Sequence, residues 1–265
     1  MLNWDAPLCL IILLILNLLI TPVIAGELDQ RLESFPFWEN KPSVATPQGE
    51  LVYPEWMEGI WEVTSTLTQQ VAPLAPEIVT PGFTDNERYL NQPIRFLVKF
   101  KPDYLPNLNQ GIVPTTIPQE LPIIPDRAFN GLNIAQAYLG KDTVTKVKVN
   151  PQNPNEQITF LPNQSQLITK VTGRQTENLS NNRFIATEIA QQIFRSQSLI
   201  YLNEVETTTA YQLIEPGNIT GDQVTAIYLS SQDPDYFKAF NRPVALYRYV
   251  LQLRKVRSSS GKYLR

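Results

Sequence analysis

The chain has 265 residues, 18% of them charged and 43% hydrophobic, which allows a sizeable core and excludes wholesale disorder. Its 22 Lys plus Arg against 25 Asp plus Glu give a net charge of −3, so nothing draws it toward nucleic acid in general. Histidine is absent and Cys9 is the single cysteine, which excludes Ser-His-Asp and Cys-His nucleophiles, His- or Cys-ligated metal centres, a His-ligated haem and a disulfide framework.

The first segment, residues 1–25, reads as a signal peptide. Ala6 to Ile20 carries no charge, Thr21-Pro22 breaks the run, and Val23 and Ala25 supply the small side chains of a cleavage site before Gly26. The n-region lacks Lys and Arg, and Ala6 to Ala25 approaches the roughly 20 residues that span a bilayer. An uncleaved anchor is therefore the rival, with membrane contact only through residues 6–25.

Residues 26–51 read as an extended lead-in without regular structure, with aromatic points at Phe35, Phe37 and Trp38. Residues 52–257 read as one β-domain. Glu58–Gln69 alternates, with Trp61, Val63, Ser65 and Leu67 on one face, and Gln92–Lys101 repeats the period with Ile94, Phe96, Val98 and Phe100. Asp103–Pro125 carries five recurrent prolines (106, 114, 118, 122 and 125) and reads as a loop or a sheet-edge segment. Ala128–Leu139, closed by Gly140, is the helix candidate, with Phe129, Leu132, Ala135, Ala137 and Leu139 near one face.

Further strands are expected over Val144–Asn150, Gln157–Leu161, Gln166–Gln175, Arg183–Phe194, Ile200–Ile214, Asp222–Ser231 and Pro243–Val256, separated by Asn- and Pro-rich clusters. Residues 258–265 read as a frayed tail. The predicted class is all-β: an antiparallel meander with one short helix, closing as a barrel so that no edge amides stay unpaired. Barrels of about eight or more strands leave interior room for one small ligand.

Pro54-Glu-Trp-Met-Glu-Gly-Ile-Trp61 places Gly-x-Trp at the entrance to the first strong strand. The segment resembles the opening of lipocalin-like barrels. That resemblance implies a Trp61 that plugs one end and is covered by an arginine of the last strand, here Arg248 or Arg254. Taken together, Phe35-Pro-Phe-Trp38, the stretch PEWMEGIWEVTSTL and the Arg-bearing last strand are similar to an uncharacterised family of exported proteins from cyanobacteria and plastids. This likeness implies a thylakoid-lumen or periplasmic setting and brings no activity with it. Proteins that attach bilins to phycobiliproteins also use lipocalin-like barrels, but an exported chain departs from a role on the cytoplasmic side.

Candidate chemistry is sparse. Glu188, Glu204, Glu206 and Glu215 are the carboxylates nearest strand cores. Glu204 and Glu206 share one strand face, as acid/base catalysis needs and as a solvated outer face equally provides, and the outer face is the preferred reading. Asp222 and Asp233-Pro-Asp235 sit in turns and read as caps; no GxGxxG or GxxxxGK cradle is present. Tyr201, Tyr211, Tyr228, Tyr247 and Tyr249 recur in the C-terminal strands, where phenols can line a cavity.

The leading expectation is a non-enzymatic binding or assembly protein without a cofactor, holding a small apolar or amphipathic ligand with Trp61, those tyrosines, Arg248 and Arg254. The alternatives are a protein–protein module assisting a photosynthetic membrane complex, and a bilin lyase-like enzyme.

Overall fold

The computed structural model describes residues 26–103 and 121–256. The expected signal segment 1–25, most of the Pro-rich stretch and the tail 258–265 lie outside the described residues. In chain order the elements are α1 (Glu27–Glu33), β1 (Gly59–Val71), β2 (Pro93–Pro102), β3 (Ile123–Pro125), α2 (Arg127–Leu139), β4 (Lys146–Asn150), β5 (Asn153–Phe160), β6 (Gln166–Ser180), β7 (Arg183–Arg195), β8 (Ile200–Glu215), β9 (Asn218–Leu229), α3 (Tyr236–Ala239) and β10 (Ala245–Lys255). No helix among the described residues is long and apolar enough to cross a membrane.

The ten strands form one antiparallel sheet in the order β3-β2-β1-β10-β9-β8-β7-β6-β5-β4. Every neighbour is consecutive in the chain except β1 and β10, which join the two halves in a register that sets Trp61 opposite Lys255. The all-β meander predicted from alternation is what forms, and it curls into a half-barrel. Its two ends, β3 and β4, are not hydrogen-bonded to each other. β3 has only three residues and Pro122 and Pro125 flank its isoleucines, so it offers too few amides to carry a ladder further.

Helix α2 fills that seam. Its N-cap Asp126 accepts from the Phe129 amide, as short helices entering from a strand commonly require. Asn130 then takes the place of a missing strand: the Lys99 amide donates to Asn130 Oδ1 at 2.6 Å, and Asn130 Nδ2 donates to the Lys99 carbonyl at 3.2 Å. On the far side, Gln136 Nε2 donates to the Val144 carbonyl at 3.1 Å. Three backbone polar groups along the seam are thus satisfied by side chains of α2.

The concave face of the sheet carries Trp61, Val63, Ser65 and Leu67, the face that period two assigns. At one end Trp61 is fully buried among Met57, Val98, Phe100, Ile123 and Leu253. Tyr53 lies 4.6 Å from Phe100 and 5.4 Å from Phe184 between ring centroids, completing an aromatic floor. Gly59 enters β1 at φ 122°, and a Cβ there would stand 2.6 Å from Lys255 Cε. Glycine is required at that position.

The lead-in departs from the extended reading. Glu27–Glu33 is helical, and Leu28, Leu32, Phe35 and Trp38 pack on Ile185, Ala210, Val224, Ala226, Tyr228 and Leu246, the convex face of β7 to β10. Seven residues with two buried leucines give too little periodicity to read in advance. A helix this short forms only through the packing it makes.

Candidate functional site

The concave face encloses open space in two adjoining parts. One cavity of about 240 Å³ lies against β1, β2 and β8–β10, walled by Val63, Phe96, Val98, Leu251 and Leu253 with Ser65, Gln223, Thr225, Tyr138, Tyr211 and Tyr249 between them. A second, of about 380 Å³, lies against β5 to β8 and is walled by Val171, Ala190 and Val205 with Gln157, Thr169, Glu188, Gln192, Thr207 and Arg127 among them. Ile134 of α2 lines both. Thr207 and Thr225, one from each, face each other across the β8–β9 ladder. The two adjoin as parts of one hollow, both mainly apolar, and the ion pair of Arg127 and Glu188 lies in the second.

Helix α2 roofs the hollow. Arg127, Ile134 and Tyr138 fall on one stripe of the helix and reach inward, as positions seven and eleven apart must. Ile134 lines both parts and is 37% exposed, so part of its apolar side chain is left uncovered.

Around Arg127 a network of ions is closed. Arg127 Nε donates to Glu50 Oε2 at 2.7 Å and Arg127 Nη2 to Glu188 Oε1 at 2.9 Å; Arg174 Nη2 donates to the same Glu188 oxygen at 2.7 Å and to Asn155 Oδ1 at 2.6 Å. Burial alone would push the Glu188 carboxyl up, but the Arg127 and Arg174 guanidiniums beside it hold it below the usual carboxylate range. The phenols are held neutral: burial pushes Tyr211 up to about 12, and burial with the neighbouring Tyr138 and Tyr247 pushes Tyr249 well up. At neutral pH the wall therefore offers hydrogen-bond donors and acceptors and no phenolate nucleophile.

The residues singled out in the sequence separate into three groups. Tyr211 and Tyr249 line the hollow, and Trp61 forms its floor. Tyr247 packs beside Leu67 and Phe83 at the opposite end, where its hydroxyl accepts from Asn86 Nδ2 at 3.2 Å, and half-buried Tyr201 lies near it, with burial and Asp233 raising its phenol. Tyr228 belongs to the convex face, where its hydroxyl donates to Glu206 Oε2 at 2.7 Å.

The arginine cover of Trp61 is not formed. Arg248 pairs with Asp222 at 2.6 Å and lies 5.3 Å from the Phe35 ring, and Arg254 is exposed. The cation over Trp61 is Lys255, with Nζ 5.4 Å from the ring centroid. The β1–β10 register decides this, because it places Lys255 directly opposite Trp61. Glu204 and Glu206 do share a face, the convex one: Glu204 pairs with Lys41, and fully buried Glu206 pairs with Arg31 at 2.6 Å.

Sequence reasoning missed Arg127, Ile134 and Tyr138, although their helical spacing was available. It also missed Arg174 and Glu50, which only the fold brings to Glu188.

A family model described as "Domain of unknown function (DUF6816)" matches residues 45–257, the span that holds every wall residue of the hollow. The chain belongs to the DUF6816 family. No curated protein and no solved structure matches it. In this member of DUF6816, α1 and Phe35–Trp38 precede the matched span and cover the convex face from outside it.

Proposed function

We propose that this DUF6816 protein is a non-enzymatic binding protein that holds a small apolar or amphipathic molecule inside its half-barrel, in a thylakoid-lumen or periplasmic setting. The observation that carries the reading is the hollow itself: an apolar wall at Val63, Val98, Leu251 and Leu253, with Ile134 of α2 lining it from above. A fold selected only for stability fills such space, because interiors pack to the density of organic crystals and each void forfeits contacts. The exported setting rests on the signal-like segment 1–25 and on the likeness of Phe35–Trp38 and PEWMEGIWEVTSTL to exported proteins.

A module that only grips a membrane complex needs no interior, and the hollow favours the container over it. Protein purified from its native cells, extracted with organic solvent and examined by mass spectrometry should release one small apolar compound at near-equimolar amount. A clean, empty preparation from native cells contradicts the proposal.

A further inference from the structure

Resting on the container reading, we infer that the occupant is an uncharged amphiphile whose hydrogen-bonding head meets the Gln157–Gln192–Thr207 wall and whose apolar body lies along Val63, Val98 and Leu251. An alcohol, a quinone-like carbonyl or an amide fits this description; a carboxylate, a phosphate or an amine does not.

The charge inventory of the hollow decides the class. Among the described residues, the ionisable acids and bases in its wall are Arg127 and Glu188, and they are bonded to each other at 2.9 Å. Their remaining capacity goes to Glu50 at 2.7 Å and Arg174 at 2.7 Å. A ligand bearing a charge would leave water and meet no counter-ion that is not already engaged. Desolvating an ion without a partner costs several kcal/mol.

The neutral polar groups are in the opposite condition. The amides of Gln157 and Gln192 and the hydroxyls of Thr169 and Thr207 line the same space, and their side chains make no hydrogen bond to another described residue. Groups of this kind, open to a cavity and unspent, are what a neutral head exchanges hydrogen bonds with. Among the described residues, the wall of the other part, with Val63, Val98 and Leu251, carries no charged side chain. Ile134 lines both parts, so a ligand whose head meets these four unspent groups crosses beneath α2 with that head toward Arg127.

The test uses the full chain loaded with Nile red, a neutral dye, and challenged with three probes that share one decyl chain: 1-decanol, decanoate and decylamine at neutral pH. Decanol should displace the dye at a concentration at least about tenfold lower than either charged probe, a difference of about 1.4 kcal/mol. Glu188→Gln should then sharpen the result. Removing that carboxylate leaves Arg127 and Arg174 with fewer counter-charges, so decanoate should gain at least about tenfold while decanol stays within about twofold. Decanoate or decylamine binding as tightly as decanol in the unmodified chain overturns this inference and leaves the container reading standing. Failure of the dye and all three probes to bind overturns the container reading and the inference with it. The unmodified chain alone decides between these outcomes should Glu188→Gln not fold.

Discussion

The two faces of strands β7 to β10 are built in opposite ways. On the convex face Ile185, Ala210, Val224, Ala226 and Tyr228 pack against Leu28, Leu32, Phe35 and Trp38 in one buried cluster, beside a cleft of about 300 Å³ bordered by Asp29, Leu32, Arg183 and Asp222. Its buried carboxylate is saturated: Glu206 accepts from Arg31 Nε at 2.6 Å, from the Tyr228 hydroxyl at 2.7 Å and from the Thr208 hydroxyl at 2.9 Å. On the concave face of the same strands Thr207, Gln223, Thr225 and Tyr249 border open space. The contrast teaches that the inner face of these strands is packed where Phe184, Ile219 and Leu253 lie and where Ala245 and Tyr247 lie, and is left open at Thr207 and Thr225, while the outer face carries a continuous buried cluster.

If that division is right, mutations on the convex face should be the costly ones. Arg31→Ala strands the buried Glu206 carboxylate and should cost about 3–5 kcal/mol in urea unfolding. Adding Glu206→Gln to it should recover part of the loss, and a double-mutant cycle reads the coupling. Leu32→Ala empties a site that is 3% exposed and should cost about 2–5 kcal/mol.

Acidification should produce a smaller and directional effect. Glu188 has a folded value below its ordinary 4.5, so its contribution is complete above that pH and is lost as pH falls through the lower folded value. The urea midpoint should therefore fall less steeply with acid in Glu188→Gln than in the unmodified chain. Alkali acts on the floor of the hollow. Tyr211 titrates near about 12 when folded against an ordinary 10.0, so its contribution is complete below pH 10.0 and is lost as pH rises toward that folded value. Tyr211→Phe should flatten that loss.

The smallest stability effect should come from Thr225→Phe on the inner wall, within about 1 kcal/mol by urea unfolding, since it adds bulk to space that is already open.

Much of this architecture was legible in the chain. Period two placed Trp61, Val63, Ser65 and Leu67 on the inner face because side chains in a strand must alternate and one face here meets the core. Gly140 marked the end of α2, and of the five recurrent prolines the two within the described residues, Pro122 and Pro125, flank the isoleucines of the short edge strand β3. What stayed hidden depends on contacts distant in sequence. Asn153-Pro154-Asn155 looks like a turn but starts β5, because pairing within the sheet overrides local propensity. Whether Tyr228 faces out and Tyr249 in follows from the parity of each strand against a curl that no local pattern records. The Glu188 network joins Glu50, Arg127, Asn155 and Arg174 from five separate segments counting its own, so no spacing rule could have assembled it.

The central claim is that the half-barrel interior is a single hollow made to be occupied, and filling it tests that claim most directly. Nile red should titrate the unmodified chain to one saturable site, and Thr225→Phe should weaken that site at least about tenfold while the urea midpoint holds. Dye uptake that survives the filled wall unchanged, or that was never saturable, would contradict the account.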